Sequence, residues 1–293
     1  MGLLDGKVAI VTGAGGGLGR AHALLLAREG ASVVVNDLGG AVDGSGDGSR
    51  VADQVVKEII EAGGKAAADF GSVTNADDAQ AMVDTAVREF GKLDILINNA
   101  GILRDKSFKK MEDALWDSVV EVHLKGTYNA TQAAYLRMLE QGTGGRIIMT
   151  SSTSGLIGNF GQTNYGAAKA GIAGFMRCLA IEGKKANITV NVLAPNAYSR
   201  MTASIFPEGS EDRYPVEKVS PAVVWLCSDE SADITGQQFV ISGNRVSLLY
   251  PAQHLIADKD AAETAWSPDE IGQKIKASIA EWPKAANVPD LIF

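Results

Sequence analysis

The chain has 293 residues, which is enough for one large α/β domain or for two smaller domains. Apolar residues make up 46% and charged residues 21%, so a wholly disordered chain is excluded. The 27 Lys and Arg residues against 35 Asp and Glu residues give a formal net charge of -8. This acidic balance gives no electrostatic attraction to nucleic acids or anionic membranes, so neither is expected as a partner.

Targeting signals and disulfides are not expected either. No apolar run reaches the ~18 residues of a membrane span. The chain does not begin with the basic region of a signal peptide, and its last three residues are not the peroxisomal Ser-Lys-Leu type. Cys178 and Cys227 could form at most one disulfide, and we interpret both as small buried apolar residues. We therefore expect a cytoplasmic protein.

Short apolar runs alternate regularly with segments of helical spacing. In chain order, the predicted strands cover residues 7–12, 32–36, 65–69, 93–97, 145–150, 188–193 and 238–242. The predicted helices between them cover 19–29, 51–62, 77–90, 112–141, 165–185 and 221–226. The strands are continuously apolar, as burial on both faces of a parallel sheet requires. The pattern predicts one doubly wound parallel sheet with helices on both faces.

A glycine-rich string joins the first predicted strand to the first helix. It runs from Thr12 to Gly19, with Leu18 as its one large residue, and Gly13, Gly17 and Gly19 follow the spacing G-x-x-x-G-x-G. Small residues there let backbone N–H groups and the helix N-terminus approach a pyrophosphate. The string alone is weak evidence, but its position between a strand and a helix predicts a dinucleotide-binding loop.

Asp37 closes the second predicted strand, 24 positions after Gly13. A carboxylate there can accept hydrogen bonds from the ribose 2′-OH of NAD. The 2′-phosphate of NADP would meet a like charge, at a cost of about 4 kcal/mol at 4 Å before screening. We therefore predict NAD, with a simple turn at Asp37 as the alternative. The glycine-rich segment 39–49 that follows is either a surface insertion or a flap over the cofactor.

Tyr165 and Lys169 are spaced i, i+4 and share one face of a predicted helix. A nearby ammonium and a cationic nicotinamide both favour the phenolate, so this pair can serve as a general base. Ser152 follows the end of a strand, where α/β sheets bind ligands, and can hydrogen-bond the substrate oxygen. Each residue alone could be structural. Together Ser152, Tyr165 and Lys169 are the predicted catalytic set.

These motifs together resemble the short-chain dehydrogenase/reductase family over residues 5–245. The resemblance rests on the glycine string, Asn98-Asn99-Ala100-Gly101, Ser152 and Tyr165-x-x-x-Lys169, in that order. Segments 35–40, 99–105, 122–126, 158–162 and 194–197 also look like the (3R)-hydroxyacyl-CoA dehydrogenase modules of peroxisomal multifunctional enzymes type 2 and their bacterial relatives.

The resemblance implies a role for each matching residue. Ser152 would polarise the substrate oxygen, Tyr165 would be the general acid/base, and Lys169 would lower the pKa of Tyr165 and hold the nicotinamide ribose. The further cofactor contacts that it implies are Asn99, Ala100, Gly101, Ser72, Val73 and Pro195. It also implies a homodimer or homotetramer, with the predicted helices 112–141 and 165–185 at the interface.

Two positions depart from the family pattern. His123 stands where most members have an Asn that helps to hold a relay water, and it is interpreted as structural, with a relay role as the alternative. Asn196 stands in place of a Gly after Pro195. No His, Cys or carboxylate cluster has metal-ligand spacing, so no metal is expected.

The expected organisation is a Rossmann-type domain over residues 1–245 and a C-terminal extension over 246–293. Residues 243–268 are predicted to be irregular, and a last helix begins with Ser267 as N-cap and Pro268 in its first turn. The expected function is NAD-dependent interconversion of a secondary alcohol and a ketone, with a 3-hydroxyacyl-CoA as the substrate implied by the resemblance. A hydroxysteroid or other free-alcohol dehydrogenase and a catalytically silent NAD(H)-binding regulator are the alternatives.

Overall fold

The computed structural model describes residues 2–40, 50–199, 202, 206–260 and 264–282. Most of the glycine-rich segment 39–49, interpreted as a surface insertion or a flap, lies outside these ranges, at residues 41–49. The strands are β1 (Val8–Thr12), β2 (Ser32–Asn36), β3 (Lys65–Asp69), β4 (Ile95–Asn98), β5 (Gly145–Thr150), β6 (Ile188–Asn196), β7 (Gln238–Ser242) and β8 (Arg245–Leu248). The α-helices are α1 (Gly17–Arg28), α2 (Val51–Glu61), α3 (Ala76–Phe90), α4 (Asp113–Val120), α5 (Gly126–Gln141), α6 (Thr153–Leu156), α7 (Thr163–Gly183), α8 (Ser220–Leu226) and α9 (Pro268–Ser278).

The strands form one sheet in the order β3-β2-β1-β4-β5-β6-β7-β8. All neighbours are parallel except β7 and β8, which are antiparallel. The prediction of a doubly wound sheet is confirmed, and one edge strand departs from the predicted all-parallel pairing. The prediction that residues 243–268 are irregular is wrong at β8, which a two-residue turn at Gly243 joins to β7. Gly243 has φ +57°, a conformation that suits glycine in such a turn.

Two hydrophobic cores cover the two faces of the sheet. On one face, residues of α1, α2 and α8 pack against alternate strand residues such as Ala9 and Val11. On the other face, residues of α3, α5 and α7 pack against Val8 and Ile10. Successive strand side chains point to opposite faces, so strands covered on both sides must be apolar throughout. This explains the continuous apolar runs in the sequence.

The predicted helix 112–141 is not one continuous α-helix. It consists of α4, a π-helical turn at Glu121–Lys125 and α5. The turn inserts one extra residue into the helical spacing and places His123 in the interior, where it is 2% exposed. Such turns are often found at functional sites.

Several element ends differ from the prediction by a few residues, and one cysteine was misplaced. β6 continues to Asn196, and α7 begins at Thr163. Cys227 is buried, which raises the pKa of its thiol to about 12, but Cys178 is exposed, because its position on α7 faces away from the sheet. The last helix begins as predicted, with a reciprocal capping box between Ser267 and Glu270.

The sheet order places a ligand-binding crevice at the centre of the molecule. The chain proceeds outward from β1 to β3 and then crosses to β4 on the other side of β1. In α/β sheets, ligands bind where the strand order reverses, outside the carboxyl ends of the strands. The crevice is therefore expected at the ends of β1 and β4.

Candidate active site

A cavity of about 430 Å³ opens at this position. It is lined by most of the predicted site residues, namely Gly13, Gly17, Leu18, Asp37, Ser72, Val73, Asn99, Ala100, Gly101, Tyr165, Lys169 and Pro195. Gly19 and Ser152 are not part of the lining. Sequence reasoning assigned no ligand contact to Thr150, Ser151 or Arg104, which also line the cavity.

The glycine string forms a tight loop whose backbone faces the cavity. A Cβ on Gly13, at φ +63°, would lie 2.8 Å from the Cα of Ala100, and a Cβ on Gly19 would lie 2.2 Å from the carbonyl oxygen of Gly13. Gly19 is thus required for packing of the loop itself. Gly17 has φ +52° and open space where its Cβ would be. The loop is therefore tightly packed at Gly13 and Gly19 and open at Gly17. A backbone of this shape fits the pyrophosphate of a dinucleotide.

Thr12 and Asn99 fasten this loop to the end of β4. The Thr12 hydroxyl accepts hydrogen bonds from the backbone N–H groups of Asn99 and Ala100, at 3.0 and 3.1 Å. The Asn99 amide donates to the carbonyl oxygens of Thr12 and Gly13, at 3.0 and 3.1 Å. The side chain of Asn99 therefore holds the glycine loop in place.

Asp37 lies beside the glycine loop with its carboxylate held by backbone groups. Its two oxygens accept hydrogen bonds from Gly15 N and Gly39 N, each at 2.8 Å. Within the described residues, no Lys or Arg forms an ion pair with this carboxylate. A phosphate placed here would meet an unneutralised negative charge.

The far end of the cavity is bounded by the loop between β3 and α3. Ser72 N donates to the Asp78 carboxylate at 2.9 Å. The Asn129 amide of α5 donates to the Val73 carbonyl oxygen at 2.9 Å. These contacts fix Ser72 and Val73 at the cavity wall, on the same side as Asp37.

The structure brings Ser152, Tyr165 and Lys169 together. Ser152 caps α6 by accepting a hydrogen bond from Ser154 N at 3.2 Å, and its hydroxyl is hydrogen-bonded to Tyr165. The Lys169 ammonium donates to the Thr150 carbonyl oxygen at 2.6 Å and lies 5.5 Å from the centre of the Tyr165 ring.

Burial controls the protonation of this group. It raises the pKa of Tyr165 to about 12, against an opposing hydrogen bond from Ser152, and Asp105 adds a smaller rise. Burial also lowers the pKa of Lys169 to about 7. In the protein alone, desolvation of both charged forms therefore outweighs any lowering of the Tyr165 pKa by Lys169.

Asn164 anchors the start of α7, a role that sequence reasoning missed. Its side chain is fully buried. The amide donates to the carbonyl oxygens of Arg104 and Leu115, at 3.0 and 3.2 Å, and its oxygen accepts from Tyr165 N at 2.8 Å. A polar residue adjoining the predicted catalytic Tyr165 was the only available sequence signal.

His123 fills the space between the loop after β4 and Tyr165. Its ring lies edge-on to the Tyr165 ring at 5.1 Å. Its Nε2 lies 2.8 Å from the Ile102 carbonyl oxygen and 3.1 Å from Ile102 N, so it donates to the first in one tautomer and accepts from the second in the other. Burial and the charge of Lys169 lower its pKa well below the usual value, so the imidazole is neutral. Its Nδ1 is buried and has no hydrogen-bond partner among the described residues. A Cβ on Gly101 would lie 2.2 Å from its Cε1, so the ring fits only against a glycine.

Asn196 does not reach the cavity. It ends β6 as a buried residue opposite Ser242, and the next residue, Ala197, lines the cavity instead. The departure at Asn196 therefore changes the packing under the site and adds no side chain to it.

In the described part of the chain, no group of three or more His, Cys, Asp or Glu residues could hold a metal ion. None of the helices described is long and apolar enough to cross a membrane.

The family model for short chain dehydrogenases matches residues 7–208. The chain belongs to this family of oxidoreductases, which act on CH–OH groups. The resemblance found in the sequence is thus confirmed.

Two relatives and one solved structure show which members of the family the chain is similar to. The chain is 41% identical over 281 residues to the hydroxyacyl-CoA dehydrogenase ChsB1 of Mycobacterium tuberculosis, covering 92% of this chain and 87% of that protein. It is 51% identical over 245 residues to peroxisomal multifunctional enzyme type 2 of Mus musculus, covering 84% of this chain but only 33% of that longer protein. The crystal structure of carveol dehydrogenase from Mycobacterium avium in complex with NAD matches with a TM-score of 0.76 and 26% identity, over 82% of this chain and 98% of that one.

Proposed function

We propose that the protein is an NAD-dependent dehydrogenase that interconverts a 3-hydroxyacyl-CoA and the corresponding 3-oxoacyl-CoA. The observation that carries this proposal is the group of Ser152, Tyr165 and Lys169 beside one cavity. Tyr165 and Lys169 line this cavity together with Asp37 and residues of the glycine loop. The thioester substrate is supported by the names of the relatives from Mycobacterium tuberculosis and Mus musculus.

Each member of the catalytic group has a distinct task. Ser152 holds the substrate oxygen by a hydrogen bond, and Tyr165 takes the hydroxyl proton in oxidation or returns it in reduction. Lys169 lies beside the Tyr165 ring, where its positive charge favours the phenolate. When bound, NAD⁺ supplies the hydride acceptor and a second positive charge near Tyr165.

The cofactor residues are assigned from the family resemblance, and most of them line the cavity. Gly13, Gly17, Leu18 and Gly19 form the pyrophosphate loop, and Asp37 binds the adenosine ribose. Ser72 and Val73 border the adenine, and Ala100, Gly101 and Pro195 border the nicotinamide half. The carveol dehydrogenase complex with NAD supports the same choice of cofactor. A cytoplasmic location, a homo-oligomer and the division at residue 245 remain predictions.

The proposal is tested by absorbance at 340 nm with NAD⁺ and, in parallel, NADP⁺. The substrates are (3R)- and (3S)-hydroxyacyl-CoAs of increasing chain length, together with free steroid alcohols. We expect turnover of a hydroxyacyl-CoA with NAD⁺. Tyr165→Phe should lower kcat by about 10³-fold, because it removes the acid/base hydroxyl, whereas the exposed Tyr250→Phe should not.

Two outcomes would contradict the proposal in different ways. Turnover of free alcohols alone would retain the catalytic assignment and reject the thioester substrate. Binding of NADH with no turnover of any substrate would instead indicate the NAD(H)-binding regulator.

A further inference from the structure

The segment after β4 carries an unusual group of exposed side chains for a protein with a net charge of -8. Lys106, Lys109 and Lys110 are all exposed, and among the described residues none of their side chains forms an ion pair. Between them Phe108 is 74% exposed. We call these four residues the basic rim.

The basic rim is fixed at the catalytic end of the cavity. Arg104, two residues before Lys106, lines the cavity. Lys106 N donates to the Gly161 carbonyl oxygen at 3.0 Å. A side-chain network joins the same two segments, since Gln162 donates to the Asp105 carboxylate and accepts from the Ser154 hydroxyl, each at 2.7 Å. Ser154 in turn donates its backbone N–H to Ser152. The rim is thus connected to the catalytic serine by a short chain of contacts.

Among the described residues, none of the neighbouring carboxylates forms an ion pair with the rim lysines. The Asp105 carboxylate is directed towards Gln162, as described above. Glu112 and Asp113 follow at the beginning of α4, where the helix N-terminus stabilises negative charge. Phe160 directly precedes Gly161, which accepts the hydrogen bond from Lys106 N, and it is 89% exposed. Three lysines without an ion pair in the described part of the chain therefore share a segment with Phe108, and that segment contacts the one that carries Phe160.

The nucleotide end of coenzyme A carries chemical groups that match the side chains of the basic rim. It carries a diphosphate, a 3′-phosphate and an adenine, separated from the thioester by the flexible pantetheine arm. Lysine ammonium groups bind phosphate as point charges, and exposed aromatic rings stack on bases. Building on the proposed function, we propose that the basic rim binds the nucleotide end of CoA while the acyl thioester enters the cavity towards Tyr165.

The test compares two variants with the same change in charge. Lys106→Glu/Lys109→Glu/Lys110→Glu reverses the charge of the rim. The control, Arg28→Glu/Lys57→Glu/Lys65→Glu, reverses three cations on α1, α2 and β3, outside the predicted interface helices. Each is assayed with a 3-hydroxyacyl-CoA and with the N-acetylcysteamine thioester of the same acid, which has no phosphates. In the rim variant, we expect the KM for the CoA ester to rise about tenfold. Its kcat and its KM for the short thioester should not change, and the control variant should resemble the unmodified protein.

A binding measurement separates this proposal from the proposed function. Calorimetry of the NADH-saturated protein should give decreasing affinity in the order CoA, 3′-dephospho-CoA, pantetheine, and this order should be lost in the rim variant. Equal affinity of both forms for CoA, or an equal rise in KM for both thioesters, would overturn the rim proposal while acyl-CoA turnover stands. Rim-dependent CoA binding without turnover would support the rim and reject the proposed reaction. A rim-dependent preference for an acyl group on an acidic carrier protein over CoA would overturn the choice of CoA.

Discussion

At the scale of single residues, Asp37 is expected to decide between the two nicotinamide cofactors. Its carboxylate has no cationic partner among the described residues and is held by two backbone N–H groups. Asp37→Ser removes the negative charge that would repel a 2′-phosphate. The ratio of kcat/KM for NADP⁺ to that for NAD⁺ should rise about a hundredfold after allowance for screening.

The matched control is Asp84→Ser, an exposed position on α3. It makes the same substitution away from the cavity and should leave the cofactor ratio unchanged. If Asp37→Ser did not alter the ratio, the turn-forming interpretation of Asp37 would be preferred.

Lys169 is expected to make the stability of the protein without cofactor depend on pH. Its pKa of about 7 in the folded protein lies below its ordinary value of 10.5. Between these two pH values the unfolded chain retains a proton that the folded protein has released, so the free energy of unfolding should rise with pH. Relative to Lys169→Met, we expect an increase of roughly 3 kcal/mol between pH 7 and pH 10.

Urea denaturation of both proteins across this range measures the effect. The difference between them removes contributions that they share, such as those of Cys227 and Tyr165, whose raised pKa values lower stability at alkaline pH. A difference that stays constant with pH would show that Lys169 is not desolvated as the geometry implies.

The spacing of residues along the chain predicted some features of the site but not others. Tyr165 and Lys169 were found from their i, i+4 spacing, because helical periodicity fixes which side chains share a face. The edge-on contact of His123 with Tyr165 and the anchoring of α7 by Asn164 were not found. Both depend on segments that are distant in sequence and meet only in the folded protein.

At the scale of elements, the π-helical turn at Glu121–Lys125 is expected to depend on Gly101. The imidazole of His123 occupies the space that a Cβ at Gly101 would need. Gly101→Ala should therefore destabilise the protein by about 1–3 kcal/mol through overpacking. It should also lower kcat, because the displaced ring contacts Tyr165.

A double-mutant cycle with His123→Asn isolates this contact. The smaller side chain leaves room for the added methyl group, so the double variant should be more stable than the sum of the single effects, by at least about 1 kcal/mol. Strictly additive free energies of unfolding would mean that the two residues do not constrain each other.

Two elements, the β7–β8 hairpin and the π-helical turn, were not predicted from the sequence. The β7–β8 hairpin was missed although Gly243-Asn244 is a recognised turn pair, because the following strand is short and mostly exposed. The π-helical turn was missed because a single inserted residue changes the apolar period only locally. The strand and helix centres were predicted well, since each is buried through a regular period.

At the scale of the whole molecule, the apolar surfaces of α5 and α7 are expected to form the subunit interface. Leu136 on α5 is 58% exposed and Ile181 on α7 is 78% exposed, and both helices cover the same face of the sheet. Exposed apolar side chains on adjoining helices are typical of interfaces. Leu136→Asp/Ile181→Asp should shift the protein from an oligomer towards the monomer in size-exclusion chromatography with light scattering.

Ile60→Asp is the control, since Ile60 is 55% exposed on α2, which covers the other face. It should leave the oligomeric state unchanged. An oligomer that persists in the α5–α7 variant but dissociates in the control would place the interface on the opposite side.

By itself, the sequence determined the sheet, the glycine loop, the acid at Asp37 and the three side chains predicted to be catalytic. These features depend on local period and spacing, which the backbone geometry translates directly into position. The tertiary structure decided the neutral state of His123, the raised pKa of Tyr165 and the connection of the basic rim to Ser152. Burial and long-range contacts produce these properties, and both arise only when distant segments pack together.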